Sequence, residues 1–166
     1  MIKNWRSVID SYVLTLVYNR PKGVEGVNII APNGSGKTTF IAHEAKQCRY
    51  YWIDVDILLH LVEVLNNDNI PLTNRDYMDA DIVSNYCVKM HGLYLLGGTW
   101  WDANNVTAFV IPEEVQHRKY LKHKDQPFNE DFYDTNIRQH IQIIQEEASK
   151  TDTPIFATIK LATNMY

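Results

Sequence analysis

Ala31-Pro32-Asn33-Gly34-Ser35-Gly36-Lys37-Thr38 is the stretch on which the reading of this chain turns. It follows a short, mostly apolar run, Gly26-Val27-Asn28-Ile29-Ile30-Ala31, which reads as a buried strand. It leads into a segment of helix-compatible composition from Lys37 to about Gln47. A glycine-rich turn between a strand and a helix is the setting in which the pattern G-x-x-x-x-G-K-[ST] cradles phosphate. Ala31 stands where that pattern has its first glycine, and its small side chain suits a tight turn at a strand end. Gly34 and Gly36 let the backbone curl so that successive N–H groups face phosphate oxygens. The positive end of the following helix dipole aims at the same point. Lys37 is then placed to reach the β- and γ-phosphates of a nucleotide, and Thr38 to offer a hydroxyl to Mg²⁺. With the adjacent Thr39, the expected nucleotide ligands are Asn33, Gly34, Ser35, Gly36, Lys37, Thr38 and Thr39. The alternative, a glycine-rich turn with a solvated lysine, is disfavoured by the full match in this context.

Outward from the loop, helical and strand patterns alternate. Trp5, Val8, Ile9, Tyr12, Val13, Leu16 and Val17 recur at helical spacing over residues 4–18, and Asn19-Arg20-Pro21-Lys22-Gly23 ends that helix. Arg49 to Val55 is aromatic and β-branched, a second strand. A Leu-rich helix from Asp56 to about Leu65, a loop Asn66–Pro71 and a helix over 76–92 follow. Strands are expected at Leu93–Leu96, Val106–Ile111 and Pro154–Ile159, and helices at 113–124 and at Phe132–Lys150. This alternation predicts an α/β domain with a parallel sheet of about five strands flanked by helices. Residues 1–22 read as a helix appended to a core at 23–166.

Composition narrows the function classes. At 166 residues and 19.3 kDa there is room for one domain. With 45% hydrophobic and 22% charged residues, intrinsic disorder is excluded for most of the chain. No apolar stretch approaches the roughly 18 residues of a membrane span, so no membrane partner is expected. Met1 to Arg6 lacks the apolar run of a secretion signal. Cys48 and Cys87 make neither a disulfide framework nor a zinc site, so a reducing cytoplasm is the expected setting. The many asparagines and tyrosines hint at an AT-rich, viral genome, which would place the protein in a host cytoplasm. The net charge of −4 argues against a duplex-DNA binder. Nothing in the sequence speaks to oligomeric state.

The loop in this setting resembles the P-loop kinases, the family that includes nucleoside, nucleotide, shikimate and polynucleotide kinases. The resemblance spans about residues 26–159. Its one highly specific part is the loop (the Walker A motif); the rest is order and spacing. It implies a three-layer P-loop NTPase-type fold, ATP as phosphoryl donor, Mg²⁺ as cofactor, and a nucleoside, a nucleotide or an RNA or DNA end as acceptor. Asp54-Val55-Asp56 looks like the strand-two ending of shikimate-kinase-like enzymes. By that resemblance Asp54 assists the metal and Asp56 faces the acceptor hydroxyl as base, with the roles open to exchange. Asp56 also reads as a plain N-cap for a helix beginning at Ile57. Tyr51-Trp52-Ile53-Asp54 has a Walker B look, but no glutamate follows to activate water.

The segment His117-Arg118-Lys119-Tyr120-Leu121-Lys122-His123-Lys124 gathers four cations and two histidines in an otherwise acidic chain. The resemblance implies a basic lid over about 113–130 that donates a cation to the transferring phosphoryl group. Arg118 is the first candidate, since a guanidinium binds two phosphate oxygens at once. Lys122, four residues on, shares its helical face, and Arg138 on the next helix would complete a clamp. A solvated cationic face is the plain alternative. A patch for nucleic-acid phosphates, with Tyr120 and the histidines stacking on a base, is a third. Gly97-Gly98 looks like a shortened acceptor-pocket glycine cluster and reads equally well as a turn; Trp100 and Trp101 read as core. Only Asp102 to Asn105 remains before strand four. Either the intervening helix is one turn at Trp100–Asn105 or strand three is misplaced. The N-terminal helix and the short tail after strand five also depart from the family.

The expectation is an ATP·Mg²⁺ phosphotransferase with catalytic Lys37, Asp56, Arg118 and Arg138, and with Thr38 and Asp54 at the metal. The rivals are a P-loop ATPase of viral packaging or helicase-like type, and a non-catalytic nucleotide-binding module.

Overall fold

Val27–Ile30 is buried along its whole length, and this makes it the central strand, β1. In the computed structural model, which describes residues 3–18, 25–66, 74–123 and 128–166, β1 sits in a five-stranded sheet of order β2-β3-β1-β4-β5. The other strands are β2 (Ile53–Asp54), β3 (Tyr94–Gly97), β4 (Ala108–Val110) and β5 (Ile155–Phe156). Every pairing is parallel. The register runs from Val27↔Tyr94 to Ile30↔Gly97 on one side of β1 and through Ile30↔Phe109 on the other.

Helices cover both faces, giving a three-layer α/β fold. They are α1 (Trp5–Val13), α2 (Lys37–Lys46), α3 (Val55–Asn66), α4 (Asn74–His91), α5 (Glu114–Lys122), α6 (Glu130–Phe132), α7 (Arg138–Thr151) and α8 (Ile159–Asn164). Alternating side chains of β1 serve opposite layers. Ile30 packs with Phe109 and with Ile144 and Ala148 of α7. Val27, Ile29 and Ala31 pack with Leu96, Val110 and with Ile159 and Ala162 of α8.

The two edge strands are shorter than their composition suggests. An edge strand has a ladder partner on one side only, and in β2 just Ile53 and Asp54 pair, with Leu95 and Leu96. The stretch Arg49–Trp52 therefore stays outside the ladder. At β5 the Thr158 hydroxyl accepts the Leu161 N–H at 3.1 Å and starts α8, which cuts the expected strand to Ile155–Phe156. The expected helix over 132–150 is also interrupted: a π-helical turn at Tyr133–Ile137 precedes α7.

The short link between β3 and β4 contains one 3₁₀ turn, Ala103–Asn105, so strand three stands one residue from where the sequence places it. Buried Asp81 of α4 accepts the Asn105 side-chain N–H at 2.8 Å and the Asp102 backbone N–H at 3.2 Å. Asn105 O in turn accepts from Asn28 of β1 at 3.2 Å. This network anchors the link and holds the β3 end over the sheet.

Helix α1 is bound into the main core. Trp5 and Ile9 join Leu58, Val62, Val83 and Leu95, and Asp10 accepts from the Tyr86 hydroxyl at 2.8 Å. Ile9→Val is expected to cost about 0.5–1.5 kcal/mol of global stability, read as a lower denaturant midpoint at unchanged slope. No change would make α1 an independent appendage. Residues 19–24, 67–73 and 124–127 lie outside the described residues. With them fall the expected breaker at 19–23, most of the loop Asn66–Pro71, and Lys124 of the basic segment. No helix among the described residues is long and apolar enough to cross a membrane.

Candidate functional site

In an open parallel sheet the ligand crevice lies at the carboxyl ends of the strands, where the strand order reverses. Here that point is the end of β1. Ala31 N–H donates to Gly97 O at 2.8 Å, and the chain then turns sharply. Gly34 and Gly36 have φ of +80° and +88°, in the left-handed region that favours glycine. The Ser35 hydroxyl donates to Pro32 O at 2.6 Å and closes the turn. Gly36 is the N-cap of α2 and provides no side chain, which leaves this helix end to backbone groups. Lys37 Nζ folds back over the turn and donates to Ala31 O at 2.7 Å and Pro32 O at 3.1 Å.

The basic helix α5 is docked onto this loop. The fully buried His117 places Nε2 2.6 Å from Asn33 O; a carbonyl only accepts, so Nε2 carries the hydrogen. Leu121 lies so close to Gly34 that a Cβ there would meet its Cδ2 at 2.4 Å. His117 was expected among the cationic or stacking groups; it is a buried strut instead, because its ring is needed under the loop. Tyr120 and His123 line a cleft.

Two clefts meet at the loop. One, of about 420 Å³, is lined by Asn33, Gly34 and residues 36–39 together with Asp56, Gly98, Thr99 and His140. It brings together every expected nucleotide ligand except Ser35. The other, of about 770 Å³, shares Gly34, Gly36 and Thr39, also takes in Ser35, and runs between Tyr120 and His123 of α5 and Thr158 to Lys160 after β5.

The two aspartates divide their work. Asp54 Oδ1 accepts the Asp56 N–H at 2.9 Å, so Asp54 caps α3, which begins at Val55. The cap reading offered for Asp56 is thereby corrected, and Asp56 is exposed on the cleft wall. Burial pushes the Asp54 carboxyl above the usual carboxylate range, while nearby Lys37 pulls it down. Among the described residues no three acidic, histidine or cysteine side chains form a metal cluster. Mg²⁺ at a phosphate site needs only one or two protein oxygens, with phosphates and water completing the shell; exposed Thr38 and half-buried Asp54 carry the side-chain oxygens expected for it.

Arg118 and Arg138 line neither cleft. Arg118 pairs with Glu114 at 3.0 Å and with Glu130; Arg138 pairs with Glu114 at 2.6 Å and Asp134 at 2.8 Å. Both guanidinium groups lie over the buried Tyr133 ring, at 4.1 and 5.4 Å. Arg118 and Lys122 do share a helical face, both lying against Phe128.

The Gly97-Gly98 pair has two distinct jobs. A Cβ on Gly97 would meet Val55 at 2.8 Å, and one on Gly98 would come within 3.4 Å of Lys37 Nζ. The tryptophans also separate. Trp100 is half-buried, edge-on to Phe109 and stacked on His140 at 5.3 Å, whereas Trp101 is 53% exposed, not core.

His140 is the functional candidate that sequence reading passed over. Burial, Lys37 and His117 together push its imidazole below the ordinary histidine value. A depressed folded value means that the neutral ring's contribution to stability is full above the unfolded value of about 6.5. That contribution is lost as pH falls through the folded value. By NMR, His140 is expected to titrate below the ordinary histidine value of about 6.5, and titration at or above that value would contradict this placement.

No protein-family model and no curated protein matches the chain at significant similarity. Among solved structures, a gluconokinase from Sinorhizobium meliloti 1021 is similar over 74% of each chain, at 16% identity and a TM-score of 0.41.

Proposed function

We propose that the protein transfers the γ-phosphate of ATP to a hydroxyl group of a nucleoside, nucleotide or nucleic-acid end. The observation that carries this reading is the pair of clefts that share Gly34, Gly36 and Thr39 of the glycine loop, with Lys37 and Asp56 both lining the smaller one. Two clefts joined at one phosphate-binding turn suit two substrates sharing one transferring group. The nucleotide base of ATP occupies the larger cleft, against Tyr120 and His123, and the acceptor enters from the side of Asp56, Gly98 and Thr99.

In the reaction the acceptor oxygen forms a bond to the γ-phosphorus. The bond from that phosphorus to the β,γ-bridging oxygen breaks, and its electron pair leaves on ADP. The hydroxyl proton passes to the Asp56 carboxylate. Lys37 and the loop amides hold the phosphate oxygens, so catalysis is mainly positioning and electrostatics. Thr38 and Asp54 hold Mg²⁺, which neutralises phosphate charge. Arg118 and Arg138 are the lid cations of this reading, each exchanging carboxylate partners for phosphoryl oxygens. Cys48 and Cys87 form no disulfide with each other; a cytoplasmic setting is part of this reading.

The test is incubation with γ-labelled ATP, Mg²⁺ and a panel of nucleosides, nucleotides and 5′-hydroxyl oligonucleotides. Label on an acceptor supports phosphotransfer. Label released only as free phosphate favours an ATPase, and no turnover with retained ATP binding favours a nucleotide-binding module.

A further inference from the structure

A third cleft, of about 400 Å³, opens between the β3–β4 link and α7. Thr99 and His140 belong to both this cleft and the phosphate cleft, so the two are continuous at that waist. A group seated beyond the waist can present a hydroxyl toward Lys37 and Asp56. The volume suits one small molecule rather than a polymer.

The walls are specific in kind. Trp100 and His140 lie nearly parallel, 16° apart. Trp101 and Ile143 are exposed at 53% and 49%, large apolar surfaces left to water at the mouth. Trp100 and His140 cover each other at 5.3 Å, so the ring face left to stack on a planar ligand is that of exposed Trp101. Among the described residues the single charged side chain lining the cleft is Glu147, an acceptor for amino and hydroxyl donors, and no lysine or arginine lines it. Lys150 holds Glu147 at 2.8 Å but is two-thirds exposed and off the cleft wall. Burial and Lys37 push the His140 imidazole below the ordinary histidine value. A phosphate on the far end of an acceptor would thus lie against a carboxylate with no lining cation to meet it.

We infer that this cleft seats the ring of the phosphoryl acceptor and that the acceptor is an uncharged nucleoside rather than a nucleotide or a nucleic-acid end. The inference rests on the phosphotransfer reading above and narrows its substrate class. The test compares nucleosides with their 3′-monophosphates, which keep the same 5′ hydroxyl while adding a distal phosphate. Their 5′-monophosphates and simple sugars complete the panel, all with ATP·Mg²⁺. Nucleosides are expected to show kcat/KM at least about tenfold above the 3′-monophosphates, the size of one lost or opposed polar contact. Trp101→Ala is expected to raise the nucleoside KM about tenfold, the scale of one stacked base, with the KM for ATP unchanged. Glu147→Gln is expected to narrow the preference against 3′-monophosphates.

Transfer that favours phosphate-bearing acceptors or plain sugars, or a nucleoside KM indifferent to Trp101→Ala, would overturn this inference and leave phosphotransfer standing. ATP hydrolysis without transfer would overturn the broader reading. Calorimetric binding of a nucleoside to the ATP-free protein tests the cleft even then: weakening in Trp101→Ala supports it, and no binding to the wild type overturns it.

Discussion

Lys37→Ala is expected to lower phosphoryl transfer about 10²–10³-fold, the loss seen when one pre-placed donor to developing charge is removed. The chain should stay folded. Lys37 is only partly buried, and its two bonds go to the carbonyls of Ala31 and Pro32, the second of which keeps the Ser35 hydroxyl as donor. Losing them is worth about 1 kcal/mol each at most, a small fall in melting temperature. Arginine should not substitute. Its planar fork is bulkier than a point-charge ammonium, and the space is already tight, since Gly98 backs directly onto Lys37 Nζ. Retention of full transfer in Lys37→Ala would remove the loop from the chemistry. Loss of the folded state would mean that the lysine is a structural clasp.

Gly34→Ala and Gly36→Ala form a matched pair with unequal outcomes. Both positions have a left-handed backbone, so both substitutions carry about 1–2 kcal/mol of torsional strain. Around Gly36 nothing lies within 4 Å of an added Cβ, and strain is the whole effect. At Gly34 the new methyl would overlap Leu121, so α5 must lift from the loop and strain the His117–Asn33 hydrogen bond. Gly34→Ala should therefore lose several degrees more of melting temperature than Gly36→Ala, at about 2–4 °C per kcal/mol for a chain of this size. It should also lower nucleotide affinity further. Adding Leu121→Ala should recover part of the Gly34→Ala deficit, a coupling that a double-mutant cycle measures. Equal losses at the two glycines, with no coupling to Leu121, would contradict the docking of α5 onto the loop.

The contrast between these sites shows what was readable from residues alone. β1, the loop and α2 were legible because the signal is local: apolar run, glycines, lysine and threonine lie within about a dozen consecutive residues. The alternation of strands and helices was legible for the same reason. Edge strands were overread, since the aromatic run at Arg49–Val55 marks β-propensity while ladder length depends on a neighbour three elements away. The cap assignment missed by one turn position: an aspartate at a strand end suits either role, and only the start of α3 at Val55 separates them. The clamp of Arg118 and Arg138 was read from charge alone; their carboxylate partners Glu114, Glu130 and Asp134 stand in the same stretch of sequence, but the pairing depends on how α5 packs on α7. His117 and His140 had no local signature. Their roles depend on Asn33 and Lys37, some 80 and 100 residues away, which no periodicity or spacing reports.

The central claim is that the turn at residues 31–38 holds the terminal phosphates of a nucleotide, and an affinity series tests it most directly. Calorimetric titration with AMP, ADP and ATP, each with Mg²⁺, should show affinity rising at each added phosphate. The gain from AMP to ATP should collapse in Lys37→Ala. Equal affinity for AMP and ATP, or a rise that survives Lys37→Ala, would contradict the account.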